Sequence, residues 1–157
     1  MMLRRFGLII FVFVTLTIVY AQDQNEQLAL ETIARINEWR ISEGTWPLRI
    51  NPILTDMAIG HASYLASLNE LPEDLHAGPT GLNPRERALL APYEWSHYEL
   101  QDQIAIGENA GIGTLDYAMS YWENSDTHRR TALNPAYREV GVGVIPYKSG
   151  HIFIVVF

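Results

Sequence analysis

Apolar positions recur at two different periods along this chain, and the change from one to the other predicts its architecture. Leu30, Ile33, Ala34, Asn37 and Ile41 fall at helical spacing until Gly44 stops the pattern, which predicts a first helix. Asn51-Pro52 supplies an N-cap followed by proline at the first helical position. Behind it Leu54, Met57, His61, Tyr64 or Leu65, and Leu68 make an apolar stripe, so a second helix is expected to about Asn69. Between Leu71 and Leu82 lie Pro72, Gly78, Pro79, Gly81 and His76, the composition of a structured loop. Asn83-Pro84-Arg85-Glu86 repeats the asparagine-proline start, now with Glu86 at the third helical position, the spacing of a capping box, and predicts a short helix through Leu90. The stretch from Tyr93 to Gln103 is polar and aromatic, and Ile104-Ala105-Ile106 predicts a short strand running into Gly107-Glu108-Asn109. Thr114 can cap a helix through Trp122, and Ser125 can cap a further turn that carries His128 before Asn134-Pro135 breaks the chain.

From Val140 the period drops to two. Val140 to Pro146 and His151 to Phe157 read as two strands of a hairpin, joined by the four residues Tyr147 to Gly150. Helices come first and a hairpin last, without alternation of strands and long crossover helices. That order predicts an α+β fold with a mainly antiparallel sheet rather than a doubly wound parallel one.

The beginning of the chain obeys a different rule. Arg4 and Arg5 precede an apolar run from Phe6 to Tyr20, which ends in Val19-Tyr20-Ala21 with small or branched residues at a cleavage site. Residues 1–21 are therefore expected to be a secretory signal peptide, the apolar run being short of the roughly 20 residues that span a bilayer. A polar leader over 22–27 and one domain over 28–157 would follow, secreted or held at the cell envelope, with no stable membrane span after cleavage. Loss of the two arginines takes the formal charge from −7 to −9. A chain this acidic, whose lone lysine is Lys148, is a poor partner for nucleic acid. It has no cysteine, which excludes disulfides, a thiol nucleophile and thiolate metal sites. Any metal would have to be held by histidines and carboxylates.

Seven short stretches, in this order and spacing, resemble the CAP superfamily, that of cysteine-rich secretory proteins, antigen 5 and group 1 pathogenesis-related proteins, in its cysteine-free bacterial form. They are Asn37-Glu38-Trp39-Arg40 with Pro47-Leu48 and Asn51 to Leu54, Ala58 to Ala62 with His61 inside it, and His76 in its loop. Pro84 to Tyr93 around Glu86-Arg87, Gly107-Glu108-Asn109-Ala110, Trp122-x-x-Ser125-x-x-His128-Arg129 and Val140 to Val144 complete the set. The resemblance implies an α/β/α sandwich, a small antiparallel sheet between helical layers. It also implies a central cavity lined by two histidines and two acids, which fall here on His76, Glu86, Glu108 and His128.

Two neutral imidazoles converging in a cleft can hold one divalent cation, Zn²⁺ being the natural choice, with the carboxylates completing the shell or orienting it. Each residue also has a plainer role open to it. Glu86 fits as the capping-box acid, Glu108 as a buried acid bonded to backbone amides, His128 as a partner of its own helix start, and His76 as a solvated loop residue. His61 on its apolar stripe reads as a packed core histidine, His97 and His151 as exposed or strand-edge residues, and the tryptophans Trp39, Trp46, Trp95 and Trp122 as core or cavity wall. Ser125 lies three residues before His128, one helical turn, and could serve as a nucleophile, but reads better as an N-cap. The glycines around 107–113 match no phosphate-binding loop. The leading expectation is a non-catalytic binding module that holds a divalent cation and a small ligand or extracellular partner. The alternatives are a metal-assisted or serine hydrolase acting on a peptide or envelope component, and a sterol or fatty-acid carrier.

Overall fold

A computed structural model describes residues 24–93 and 105–157. The expected signal peptide lies outside them, as do Trp95 and His97. The first helix, α1, covers 24–42. It is followed by β1 (Arg49–Ile50), α2 (Pro52–Ser67), a 3-10 turn (Pro79–Gly81) inside the expected loop, and α3 (Pro84–Leu90). Then come β2 (Glu108–Gly113), α4 (Leu115–Asn124), α5 (Asp126–Ala132), β3 (Glu139–Tyr147) and β4 (Gly150–Val156). The sheet order is β1-β3-β4-β2, with β1 parallel to β3 and the other pairs antiparallel.

The hairpin carries two cores on its two faces. Val140, Val142, Val144, Phe153, Val155 and Phe157 point to the layer of α1, α4 and α5, where they meet Ile33, Ile36, Trp39, Met119 and Trp122. Ile152, Ile154 and Val156 point the other way, onto Leu54, Ala58, Ala62 and Leu65 of α2. This is the α/β/α sandwich of an α+β fold. The alternation Val-Gly-Val-Gly-Val explains how close the α2 layer comes. A Cβ at Gly141 would stand 2.0 Å from the Leu54 carbonyl carbon, and one at Gly143 would stand 2.4 Å from that of Ala58. Only glycine lets the helix backbone lie on the strand.

Local rules account for the element ends. Asn51 Oδ1 accepts from the amides of Ile53 and Leu54, and Thr114 Oγ1 from that of Tyr117. Asn83 and Glu86 form the complete capping box. Gly44, at φ +75°, ends the turn after α1.

Several expectations are corrected. Residues 24–27, expected in a polar leader, already belong to α1, since their polar side chains point away from the core. The buried face of α1 is Thr32, Ile33, Ile36, Trp39 and Arg40, leaving Leu30 and Ile41 exposed. Both stripes have helical spacing and share Ile33, and the bulk of Trp39 wins over that of Ile41. Trp46 is 68% exposed rather than core. Of the strand expected at 104–106, Ile104 lies outside the described residues and Ala105 and Ile106 are not strand. Instead β2 begins at Glu108 and runs through two glycines, because its register is set by β4, from Glu108 opposite Val156 to Gly113 opposite His151. Tyr147 pairs with Gly150, so the hairpin loop is the two residues Lys148-Ser149, with Lys148 at φ +51°.

Arg40 is fully buried and binds carbonyls alone. Its Nε donates to Trp46 O at 2.8 Å, Nη1 to the carbonyls of Ala132 and Asn134, and Nη2 to that of Tyr137. It locks α1 to the end of α5 and the segment that follows it.

Candidate functional site

The site is assembled at the start of β2. Gly107 has no room for a side chain, since a Cβ there would lie 2.7 Å from both Thr131 Cγ2 and the Tyr137 hydroxyl. Glu108 and Asn109 point to opposite faces of the strand and hold one histidine each. Glu108 Oε1 accepts from His76 Nδ1 at 2.9 Å. Asn109 Nδ2 donates to the main-chain carbonyl of His128 at 3.1 Å. Each residue of the Gly-Glu-Asn triplet therefore has a separate physical reason. Trp122 anchors the next motif, fully buried with its indole N–H on Ala110 O at 2.9 Å.

Glu108 is the electrostatic centre. Its side chain is 2% exposed, and its other oxygen accepts from Arg87 Nη2 at 2.5 Å. Arg87 Nη1 donates at the same time to the carbonyls of His76 at 2.7 Å and Leu82 at 2.8 Å. His61 faces the carboxylate from α2 with Nε2 3.8 Å from Oε1, while donating from Nε2 to Leu75 O at 2.8 Å. The buried carboxylate thus has a cation, a directed imidazole and a neutral imidazole around it, the partnering that a buried charge requires.

His128 joins the site from α5. Its ring centroid lies 6.2 Å from that of His76 and 4.9 Å from that of Tyr121, which is half exposed on α4. His128 Nδ1 and Ser125 Oγ are 2.8 Å apart, a hydrogen bond that either can donate. Ser125 occupies the position preceding α5, but its hydroxyl makes no cap bond and turns to the imidazole instead. Its expected role as a capping side chain is corrected.

The three histidines are shifted in different directions. The Glu108 hydrogen bond, ahead of the opposing effect of burial, raises the pKa of His76 above its ordinary value. Burial lowers that of His128, with His76 adding to the effect. His61 is lowered mainly by burial, against the pull of Glu108. Burial thus favours the neutral form of His61 and His128, whereas the Glu108 carboxylate favours the protonated form of His76.

Of the four residues expected in the cavity, the structure brings His76, Glu108 and His128 together. Glu86 stands apart: its carboxylate accepts from the Asn83 amide at 2.8 Å at the exposed start of α3. Arg87 and His61 were not expected at the carboxylate. Arg87 follows the marker acid directly, and His61 sits on the buried stripe of α2. Their spacing gave the positions but not the common target, which depends on the path of loop 71–82. As a metal site, the described residues offer no group of three or more histidines and acids placed to hold an ion. The donors that could be offered are the two imidazoles of His76 and His128. Nδ1 of His76 meets Glu108 and Nδ1 of His128 meets Ser125, so a cation would have to be taken on Nε2 of each ring, with the outer partners that metal-binding histidines use.

Comparison with known proteins agrees with this layout. Residues 33–157 match the family described as the cysteine-rich secretory protein family, CAP. The chain belongs to the CAP family. It is similar to YkwD of Bacillus subtilis, at 27% identity over 117 residues, 74% of this chain and 41% of that one, so it spans less than half the length of this relative. Its fold resembles an outer surface protein of Borrelia burgdorferi, with TM-score 0.64 and 21% identity over 80% of this chain and 86% of that one. It also resembles an extracellular SCP-domain protein of Bacillus anthracis, with TM-score 0.62 and 23% identity over 86% of this chain and 42% of that one. Among the described residues no helix is long and apolar enough to cross a membrane.

Proposed function

We propose that this CAP domain is exported and works as a non-catalytic binding module, with a cleft that takes a divalent cation on His76 and His128. The observation that carries the proposal is the 2.9 Å bond from His76 Nδ1 to the buried carboxylate of Glu108. It orients the ring and, when the ring is neutral, keeps the proton on Nδ1, so that Nε2 has the lone pair a cation would reach by displacing a proton. Export is supported by the basic and apolar pattern of residues 1–21 and by the surface and extracellular proteins that share the fold. A cation such as Zn²⁺ held there would supply a Lewis-acidic point for a ligand oxygen. Glu108 and Arg87 hold His76 in place, Asn109 holds the main chain of His128, and the half-exposed Tyr121 packs against the His128 ring. Two protein donors make a site with open positions, whose metal should exchange and be lost as the histidines protonate.

One observation favours a second reading, that of a hydrolase: the Ser125 hydroxyl lies against an imidazole whose pKa burial lowers. The two readings put the proton of His128 on different nitrogens. Cation binding needs Nδ1–H donating to Ser125 Oγ, whereas a serine nucleophile needs its own hydroxyl donating to Nδ1. Nitrogen-15 spectra of the imidazoles, recorded with and without Zn²⁺, test the proposal. It predicts that Nε2 of His76 and His128 shift on Zn²⁺ addition. A wild-type spectrum that ignores Zn²⁺, or shifts confined to other histidines, would reject it. Hydrolysis of envelope peptides that disappears in Ser125→Ala would establish the alternative.

A further inference from the structure

We propose that Arg87 is the positioning residue of this cleft, fixing His76 at both ends, and that residues 83–87 serve the site through it rather than by donating a carboxylate; the proposal rests on the cation-binding reading above. The geometry is a three-way grip. Arg87 Nη1 donates to the main-chain carbonyl of His76 at 2.7 Å and to that of Leu82 at 2.8 Å. Arg87 Nη2 donates to Glu108 at 2.5 Å, and the other oxygen of Glu108 takes the ring N–H of His76 at 2.9 Å. The same guanidinium thus holds the backbone of His76 directly and its ring through one intermediary.

Loop 76–82 is folded around that side chain. Gly78 donates to Leu82 O at 2.8 Å, and a Cβ at Gly78 would lie 3.0 Å from both Arg87 Nη1 and Leu82 O and 3.1 Å from Arg87 Cδ. Glycine at 78 is the condition for the loop to close on the guanidinium. The exposed capping box supplies the other half. Glu86 and Asn83 fix the start of α3, and the Arg87 amide donates to Asn83 O at 3.0 Å, so the root of the Arg87 side chain is set before it reaches inward. Position 86, where the family resemblance puts a cavity acid, acts here on helix geometry, and its neighbour makes the contact.

A planar fork with several donors in fixed directions can serve three acceptors on two sides, and a lysine ammonium cannot reproduce that spread. Arg87→Lys therefore keeps the charge and loses the grip. In nitrogen-15 spectra at a pH high enough that the His76 ring is neutral, the proposal predicts that His76 changes from one tautomer to a mixture in Arg87→Lys while His128 is unaltered. The affinity for Zn²⁺ should fall by about 10–100-fold, the usual cost of losing an outer-shell partner. Gly78→Ala, which changes no charge, should produce the same His76 signature in smaller degree and guards against a misfolded lysine variant. Wild-type His76 tautomer in folded Arg87→Lys, or equal disturbance of His76 and His128, would overturn the proposal, since a merely stabilising arginine predicts either. If the wild-type protein binds no Zn²⁺, the cation reading fails, and the His76 tautomer still decides the role of Arg87.

Discussion

Replacing Glu108 by leucine removes the carboxylate around which three chain segments are arranged. In the native protein the side chain of Glu108 is 2% exposed and that of Arg87 13% exposed, with 2.5 Å between nitrogen and oxygen. Breaking a buried pair by removing one partner costs about 3–5 kcal/mol, because the other charge is left uncompensated. Arg87 would keep the carbonyls of His76 and Leu82 as acceptors, and its residual exposure lets water screen part of the charge. The expected loss is therefore about 2–4 kcal/mol, or a fall in Tm of roughly 10 °C for a domain of this size. The sign of the coupling is the stronger test. Glu108→Leu with Arg87→Met should lose less stability than the sum of the two single variants, by about 1 kcal/mol or more, because each single leaves one partner of the pair stranded. Urea unfolding of the wild type, both single variants and the double variant measures the cycle. A loss under about 0.5 kcal/mol for Glu108→Leu, the value of an exposed pair, would refute the reasoning, as would a double variant whose loss equals the sum of the singles.

Three further expectations rest on other parts of the structure. Gly143→Ala puts a methyl group within 2.4–2.5 Å of the α2 backbone at Ala58 and Ile59, so the helix must retreat; thermal unfolding should register a loss of about 1–3 kcal/mol or more, and an unchanged Tm would contradict the close approach. Arg40→Met strips the donor from four carbonyls and should cost at least about 2 kcal/mol in urea, with Arg40→Lys recovering only a fraction; a neutral or stabilising methionine would mean that burying the cation costs as much as its bonds return. The pKa of His76 is raised, so its contribution to stability is complete below the ordinary histidine value near 6.5 and is lost as pH rises through its own higher value; His61 and His128 are lowered and act oppositely, costing stability as pH falls below about 6.5. The stability gap between chelator-treated wild type and His76→Gln should accordingly be wider in mildly acidic than in mildly basic buffer, and a gap that does not vary with pH would contradict the bond to Glu108.

Much of this architecture is legible in the chain because local chemistry dictates it. The asparagine-proline starts at 51 and 83, the Thr114 cap and the period-two hairpin each act within a few residues, and each appears where its pattern stands. What was not legible depends on contacts distant in sequence. Two stripes on α1 share Ile33, and only the sheet decides between Ile41 and Trp39. The start of β2 follows from its partner β4 rather than from its own composition, since half of Glu108–Gly113 is glycine and alanine. At the site, family resemblance located His76, Glu108 and His128. Arg87 could not be read as their organiser, because its three acceptors come from residues 76, 82 and 108, brought together by the fold. Ser125 reads as a cap by position and fails as one because its hydroxyl has an imidazole within reach.

The central claim, that His76 and His128 together hold a divalent cation, is tested most directly by calorimetric titration of Zn²⁺ into chelator-treated protein. The titration is run at about pH 7.5 and about pH 5.5, beside the double variant His76→Ala/His128→Ala with its fold checked by circular dichroism. The account predicts one site that weakens strongly at the lower pH and vanishes in the folded double variant. Equal binding by both proteins, or binding indifferent to pH, would contradict it and leave the two histidines as structural groups of the CAP domain.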